Sequence, residues 1–230
     1  LAARGHEVTL CSWDDADVPA AWRAGTDPKA PRIVTIAPPT GTGSRFTGAA
    51  REELKQLIAS HDLLHLHGVW NPWNWQLGAL ARSIGKPYII SVRGMLDDWC
   101  MEQKALKKKM FLAFAVRRWL ERAAFVHLTA QAEHDQARKH FPRGRGIVIS
   151  NLTDLTPFES LPGPELIRAK HPWLDPKRPT LLFLSRIHVK KGLEVLLSAA
   201  SLLHQSSIPV RIAIAGTGDT AYLETLKRLT

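Results

Sequence analysis

Sulfur is scarce in this chain, whose only cysteines among 230 residues are Cys11 and Cys100. Two thiols build neither a disulfide framework nor a thiolate zinc site, and their scarcity fits a reducing, cytoplasmic compartment. Long apolar runs are missing as well. The best stretch, 110–116, is hemmed by Lys107, Lys108 and Lys109 on one side and by Arg117 and Arg118 on the other. It falls far short of the ~20 apolar residues that span a bilayer. No internal repeat or low-complexity tract breaks the pattern. Acid is the minority charge, 21 Asp and Glu against 31 Lys and Arg, for a formal net charge of +10. That balance favours anionic partners, whether phosphorylated substrates, nucleic acid or an anionic membrane surface. No aromatic-glycine RNA-binding motif or helix-turn-helix spacing is present, which argues against nucleic acid.

What remains is ordinary globular composition, 45% apolar and 23% charged, which excludes a disordered chain. The opening residues read as the last turn of a helix, a stop at Gly5 and a strand, so residues are expected to precede Leu1, with any targeting signal among them. Short β-branched runs then alternate with helical patterns. Strands are expected at 7–11, 32–36, 63–66, 88–92, 125–128, 147–150, 180–184 and 210–215. Helices are expected at 49–60, 75–84, 102–122, 131–140, 192–204 and 221–229. Runs such as Tyr-Ile-Ile-Ser-Val and Leu-Leu-Phe-Leu are apolar almost throughout, as in parallel strands with helices on both faces. The alternation predicts an α/β protein of two doubly wound, Rossmann-like domains. Pro157, Pro162, Pro164, Pro172, Pro176 and Pro179 cluster between them, marking a connector. The expected organisation is a first domain at 1–155, a connector at 156–179 and a second, incomplete domain at 180–230.

The segment with most chemistry is Leu181-Leu-Phe-Leu-Ser-Arg-Ile-His-Val-Lys-Lys-Gly192. A strand ends at Ser185, a short loop bears Arg186 and Lys191, and Gly192 turns the chain into a helix. Ligands of open α/β sheets sit at the carboxyl ends of strands. Two permanent cations beside a helix N-terminus there suit a diphosphate. Cations at that place oppose the helix dipole and need another reason to be there than solvation.

This pattern resembles the second-domain signature of glycosyltransferase family 4, the retaining "group 1" sugar transferases with the GT-B fold. Four further segments stand in the order of that family. They are His65-Leu66-His67-Gly68-Val69-Trp70, Ser91-Val92-Arg93-Gly94-Met95-Leu96 with Trp99, Ile149-Ser150-Asn151, and Ala213-Ile214-Ala215-Gly216-Thr217-Gly218. The resemblance implies transfer of a sugar from a nucleotide-sugar donor to a glycan or lipid-linked acceptor, with retained anomeric configuration, in surface or exopolysaccharide assembly. It needs no metal and no cofactor beyond the donor. Arg186 and Lys191 would grip the diphosphate and steady its developing charge, with Gly216, Gly218 and Asn151 also on the donor side. Arg93 stands where some members carry a histidine; a guanidinium cannot act as a base, so its role would be electrostatic. The family's paired second-domain glutamates, seven residues apart, have no counterpart after Gly218, where Glu224 stands alone. A fragment lacking part of its donor site, and inactive for that reason, is the corresponding expectation.

On the acceptor side the same reading gathers His67, Gly68, Trp70, Asn71, Trp73 and Asp97. Indole faces suit the apolar faces of sugar rings and amides suit hydroxyls; packing of the indoles onto the core is the alternative. Asp97 and Asp98 either meet acceptor hydroxyls or cap the following helix. His65 and His67 share one strand face and could be read as a metal pair, with no third ligand in view. Gly216, Gly218 and Ala221 fit the G-x-G-x-x-A fingerprint of an NAD(P)-dependent oxidoreductase, although at the second rather than the first strand–helix turn of their domain. A non-catalytic, basic nucleic-acid-binding scaffold is the remaining alternative. The cationic helix around 102–122, with Phe111, Phe114 and Trp119, suits either a solvated face or adsorption to the inner face of an anionic membrane.

Overall fold

The computed structural model describes residues 1–38 and 45–229. They divide into two compact units, Leu1–Thr153 and Asp154–Thr230. In the first unit β1 (Thr9–Ser12) is followed by a one-turn helix α1 (Ala20–Arg23) and β2 (Arg32–Thr35). Then come α2 (Gly48–Ala59), β3 (Leu64–His67), α3 (Pro72–Ser83) and β4 (Tyr88–Ser91). The short helices α4 (Asp98–Glu102), α5 (Ala105–Phe111) and α6 (Arg117–Glu121) precede β5 (Phe125–Leu128), α7 (Gln131–Ala137) and β6 (Gly146–Val148). All pairing is parallel. The four strands β3-β4-β5-β6 lie in chain order in one sheet, and β1 pairs β2 in a separate one. A single continuous first-domain sheet is therefore not formed among the described residues.

The core of this unit is the four-stranded sheet with α3, α6 and α7. Tyr88, Ile90 and Val92 are buried along β4, as are Val126 and Leu128 on β5. Alternate residues share one strand face, so that face is fully covered, while Ile89, Phe125 and His127 on the opposite face are half-buried. The Tyr88 hydroxyl donates to the Trp119 carbonyl at 2.7 Å, and the Tyr88 and Trp119 rings stack at 6.5 Å. A buried phenol is satisfied this way, and burial raises the Tyr88 pKa to about 12. Helix starts follow their caps: Thr47 accepts from the Ala50 N–H at 3.2 Å, and Asn71 accepts from the Trp73 N–H at 3.0 Å ahead of Pro72.

The expected helix 102–122 is instead a broken one. Lys104 adopts a left-handed φ of 54° after α4, and a π turn at Leu112–Val116 separates α5 from α6. Asp97 supplies the early start, its carboxylate accepting from the Cys100 N–H at 2.6 Å.

The second unit holds α8 (Glu165–Lys170), β7 (Thr180–Leu184), α9 (Leu193–Gln205), β8 (Arg211–Ala215) and α10 (Thr220–Lys227). β7 and β8 pair in parallel over five residues each. The proline-rich segment groups with this unit: Arg178 donates to the Val210 carbonyl at 2.9 Å, and the Arg211 guanidinium lies 5.8 Å from the Trp173 ring centre. Its core is Ile187, Leu193 and Leu226, with Phe183, Leu196 and Leu197 against them. Leu181, Leu182 and Leu184 are exposed and only Phe183 of β7 is half-buried, so β7 lacks the cover on both faces that its apolar run predicts.

No helix among the described residues is long and apolar enough to cross a membrane.

Candidate functional site

In the first unit the carboxyl ends of β3, β4, β5 and β6 bring polar side chains together. His67 ends β3 and Ser91 ends β4, opposite each other in the ladder, and Ser91 is in turn opposite His127 of β5. Beyond Ser91 the chain turns sharply, with Arg93 at φ 56° and Gly94 at φ 70°. A left-handed arginine is held against its own preference, a strain that clusters at functional sites. Its guanidinium donates to Asn151 Oδ1 at 2.5 Å, and lies 3.5 Å from His67 Nδ1. Three of the sequence-predicted residues, Arg93, Asn151 and His67, thus form one cluster. All three are exposed.

Beneath it runs a hydrogen-bond chain that the sequence reading missed. His65 Nε2 lies 2.7 Å from Ser91 Oγ, Ser91 Oγ lies 2.7 Å from His127 Nδ1, and His127 Nε2 lies 2.8 Å from the Ile149 carbonyl. Ser91 is the one buried polar residue among those described, fully covered. A carbonyl only accepts, so His127 carries its proton on Nε2. With neutral rings Ser91 then donates to His127 Nδ1 and accepts from the His65 Nε2–H.

A guanidinium only donates, so the neutral His67 ring keeps its proton on Nε2 and turns Nδ1 to Arg93. Partial desolvation of the His65 ring, together with His67, His127 and Arg93 nearby, lowers its pKa to about 4. Desolvation and then Arg93 and His127 lower that of His67. The two rings stack at 4.4 Å. No cluster of three His, Cys, Asp or Glu groups suited to a metal occurs among the described residues.

The neighbouring loops are tied by Glu133 of α7. Its carboxylate accepts from the Gly94 N–H at 2.5 Å and from the Thr129 N–H at 2.6 Å. It thereby joins the turns after β4 and β5. Asp97, Trp99, Glu133 and Gln136 line a cavity of about 400 Å³ at that join.

The aromatic segment after β3 is organised by its backbone. Gly68 has φ 87°, and a Cβ there would press on the Met95 side chain at 3.2 Å. Trp70 donates its indole N–H to the Met95 carbonyl at 3.0 Å, and Trp73 packs edge-on to Trp13 at 4.7 Å. The Asn71 oxygen is occupied as the α3 cap, and Asn74 donates to the Gly68 carbonyl at 3.0 Å. Trp70 and Trp73 are half-buried. Packing, the alternative weighed for these indoles, accounts for much of their surface.

In the second unit Arg186 and Lys191 lie beyond the carboxyl end of β7, both exposed. A turn at Val189–Lys191 leads to Gly192 at φ 65° and then to α9. The loop bearing Arg186 rests on the one after β8. The Ser185 N–H donates to the Ala215 carbonyl at 3.2 Å, and the Ile187 N–H to the Thr217 carbonyl at 2.8 Å. A Cβ on Gly216 would strike the Ser185 carbonyl oxygen, and one on Gly218 the Ile187 carbonyl oxygen. The two glycines therefore admit a close backbone approach.

Each unit thus presents cations beyond its strand ends, Arg93 in the first and Arg186 and Lys191 in the second. Residues 1–151 match the model of the glycosyl transferase 4-like domain, and the chain belongs to that family. Its fold is similar to that of Anabaena Alr3699/HepE, solved in complex with UDP. That likeness has a TM-score of 0.64 at 13% identity, over 97% of this chain and 65% of that one. With HepE in complex with UDP-glucose the TM-score is 0.66 at 15% identity, over 96% of this chain and 57% of that one. The chain thus spans less than two thirds of these solved relatives. No curated protein matches it by sequence.

Proposed function

We propose that the chain serves retaining transfer of a sugar from a nucleoside-diphosphate sugar to a glycan or lipid-linked acceptor, in the assembly of surface or extracellular polysaccharide at the cytoplasmic face of the membrane. The observation that carries this reading is the convergence of Arg93, His67 and Asn151 at the strand ends of a family 4-like domain. The presence of UDP-glucose in the structurally similar HepE supports a nucleotide-sugar donor.

Breaking a glycosidic bond to phosphate places negative charge on the departing diphosphate. Arg186 and Lys191 would meet that charge as fixed cations, lowering the barrier without reorganisation. Gly216 and Gly218 hold the Arg186 loop and so act on the donor through it. On the first unit, Arg93 offers charge and hydrogen bonds rather than base chemistry, and His67 offers a neutral Nε2–H to a sugar hydroxyl. Asp97, with Trp99 and the adjoining cavity, suits an acceptor saccharide, Trp70 and Trp73 flanking the turn at Gly68.

Thermal shifts with UDP, GDP, UDP-glucose and NADH test the reading, because a ligand of the native state stabilises it by mass action. Stabilisation by a nucleoside diphosphate and its sugar is expected. Stabilisation by NADH with none by the nucleotide sugars would turn the assignment to an oxidoreductase.

A further inference from the structure

β6 ends at Val148, yet Asn151 beyond it meets Arg93 at 2.5 Å, so the chain between must be held in place. The last backbone bond there runs from the Ile149 N–H to the Leu128 carbonyl at 2.9 Å. The Val126 N–H donates to the Arg145 carbonyl at 2.8 Å, and the bonds of a parallel ladder recur at every second residue. Two such steps onward would give the Ile149 carbonyl the Ala130 N–H. The sheet has lost that donor, because β5 stops at Leu128 and Ala130 is already the N-cap residue of α7. The Thr129 N–H beside it is taken by Glu133 at 2.6 Å. His127 supplies the replacement, its Nε2–H reaching past the strand end to the Ile149 carbonyl at 2.8 Å. The other ring nitrogen, Nδ1, lies 2.7 Å from Oγ of the fully buried Ser91, which stands opposite His127 in the ladder. The imidazole therefore extends the sheet where the backbone has turned away.

We infer that His127 is a positioning residue for Arg93: the ring pins Ile149, Ile149 places Asn151, and Asn151 Oδ1 aims the guanidinium. Arg93 is exposed and left-handed at φ 56°, so hydrogen bonds rather than packing or backbone preference hold its pose. Ser91 belongs to the same device, since its hydroxyl orients the imidazole from the rigid centre of the sheet. The consequence for turnover rests on the transfer reading, whereas the placement of Arg93 does not.

Two substitutions divide the two bonds of the ring. His127→Gln carries an amide N–H to the place of Nε2 and keeps the bond to Ile149. His127→Asn keeps a partner for Ser91 but is too short to reach Ile149. The guanidinium signals of Arg93 in nitrogen-15 spectra of the 230-residue chain, identified by their loss in Arg93→Lys, report its pose, because a bonded fork turns slowly. Separate Nη–H signals are expected in the parent and in His127→Gln. They should merge in His127→Asn, as they should in Asn151→Ala. Backbone amide dispersion in the same spectra shows that each variant is folded. In UDP-glucose turnover His127→Asn should lower kcat by about tenfold, within the loss that a misplaced group causes, and His127→Gln should restore it. In an Arg93→Ala background His127→Asn should cost nothing further, since the group it serves is gone.

Arg93 signals that stay separate in His127→Asn, or that merge equally in His127→Gln, overturn the positioning role. So does a further loss of turnover from His127→Asn once Arg93 is alanine, which would place the action of the ring elsewhere. A parent that neither binds nor turns over UDP-glucose sinks the transfer reading alone, and the guanidinium signals still decide what His127 holds.

Discussion

Gly218 lies so close to the main chain of Ile187 that a side-chain carbon on it would fall on the Ile187 carbonyl oxygen. The two residues form a parallel bridge just past β7 and β8, and Arg186 sits one position before Ile187. Gly218→Ala must therefore push the Arg186 loop away. Forced overpacking of this kind costs about 1–3 kcal/mol. Urea unfolding should show that loss, and UDP affinity by titration calorimetry should drop more than the stability change explains. An alanine variant with parental UDP affinity would separate the glycine from the cation site.

Arg93 and Asn151 join the turn after β4 to the residues after β6. Arg93→Lys keeps the charge but loses the planar fork, while Arg93→Ala loses both. If the guanidinium stabilises developing charge, alanine should lower kcat by about a hundredfold, in the range of other preorganised donors. Asn151→Ala acts through the arginine's position. Because the pair is in contact, the double variant should cost less than the two single changes combined. Additive losses in donor-turnover assays would mean that the two side chains work separately.

The strand positions were legible because most strands are short apolar runs with a turn signal at the end. β5 and β7 fall where the pattern puts them, at Phe125–Leu128 and Thr180–Leu184. Less legible was what local pattern does not encode. α3 begins at Pro72 because Asn71 caps it, whereas the run of tryptophans drew attention to ligand rather than to cap. The break at Lys104 and the π turn before α6 follow from fitting Leu112, Val116, Trp119 and Leu120 onto one core, a tertiary demand.

In the site, His67 was visible as a strand-end residue, and Arg93 and Asn151 through the family resemblance of their segments. The chain through Ser91 and His127 was not, because it needs the β3-β4-β5 register. Its one sequence trace is a lone hydroxyl in Tyr-Ile-Ile-Ser-Val and a lone imidazole in Phe-Val-His-Leu.

Gly78 of α3 faces Trp119, and a Cβ on it would collide with the indole. Trp119 cannot move away easily, since its ring stacks on Tyr88 in the buried core. Gly78→Ala gains helix propensity of about 1 kcal/mol but must displace a packed indole, and the collision should win, with a net loss of about 1–2 kcal/mol. Chemical unfolding followed by tryptophan emission measures this, with Trp119→Phe as the relieving second change. Stabilisation by Gly78→Ala alone would show that the indole yields freely.

Ser91 serves both His65 and His127 from a fully buried position. Ser91→Ala takes the shared partner from two ring nitrogens; His65 is exposed and can turn to water, so the loss should fall at the low end of the about 1–3 kcal/mol that an unsatisfied buried polar group costs. Nitrogen-15 shifts of the imidazoles should also move, because the hydroxyl that fixes the tautomers of His65 and His127 is gone. Unchanged shifts would mean that the rings hold their tautomers without Ser91.

Stability should depend on pH through the same rings. His65 titrates at about 4 in the folded chain against an ordinary 6.5, lowered by desolvation and by His67, His127 and Arg93 around it. His67 is shifted in the same direction, by desolvation, Arg93 and His127. Between these two values the unfolded chain binds protons that the folded one refuses, so stability rises with pH there. The contribution is fully present above pH 6.5 and is lost as pH falls towards 4. Carboxylates titrate in part of the same range, so the diagnostic quantity is a difference in slope. Urea unfolding at intervals from pH 4.5 to 7.5 should give a shallower dependence for His65→Gln than for the parent. Identical slopes would mean that His65 takes up its proton as readily in the folded chain as in the unfolded one, and that the strand-end rings are not held neutral.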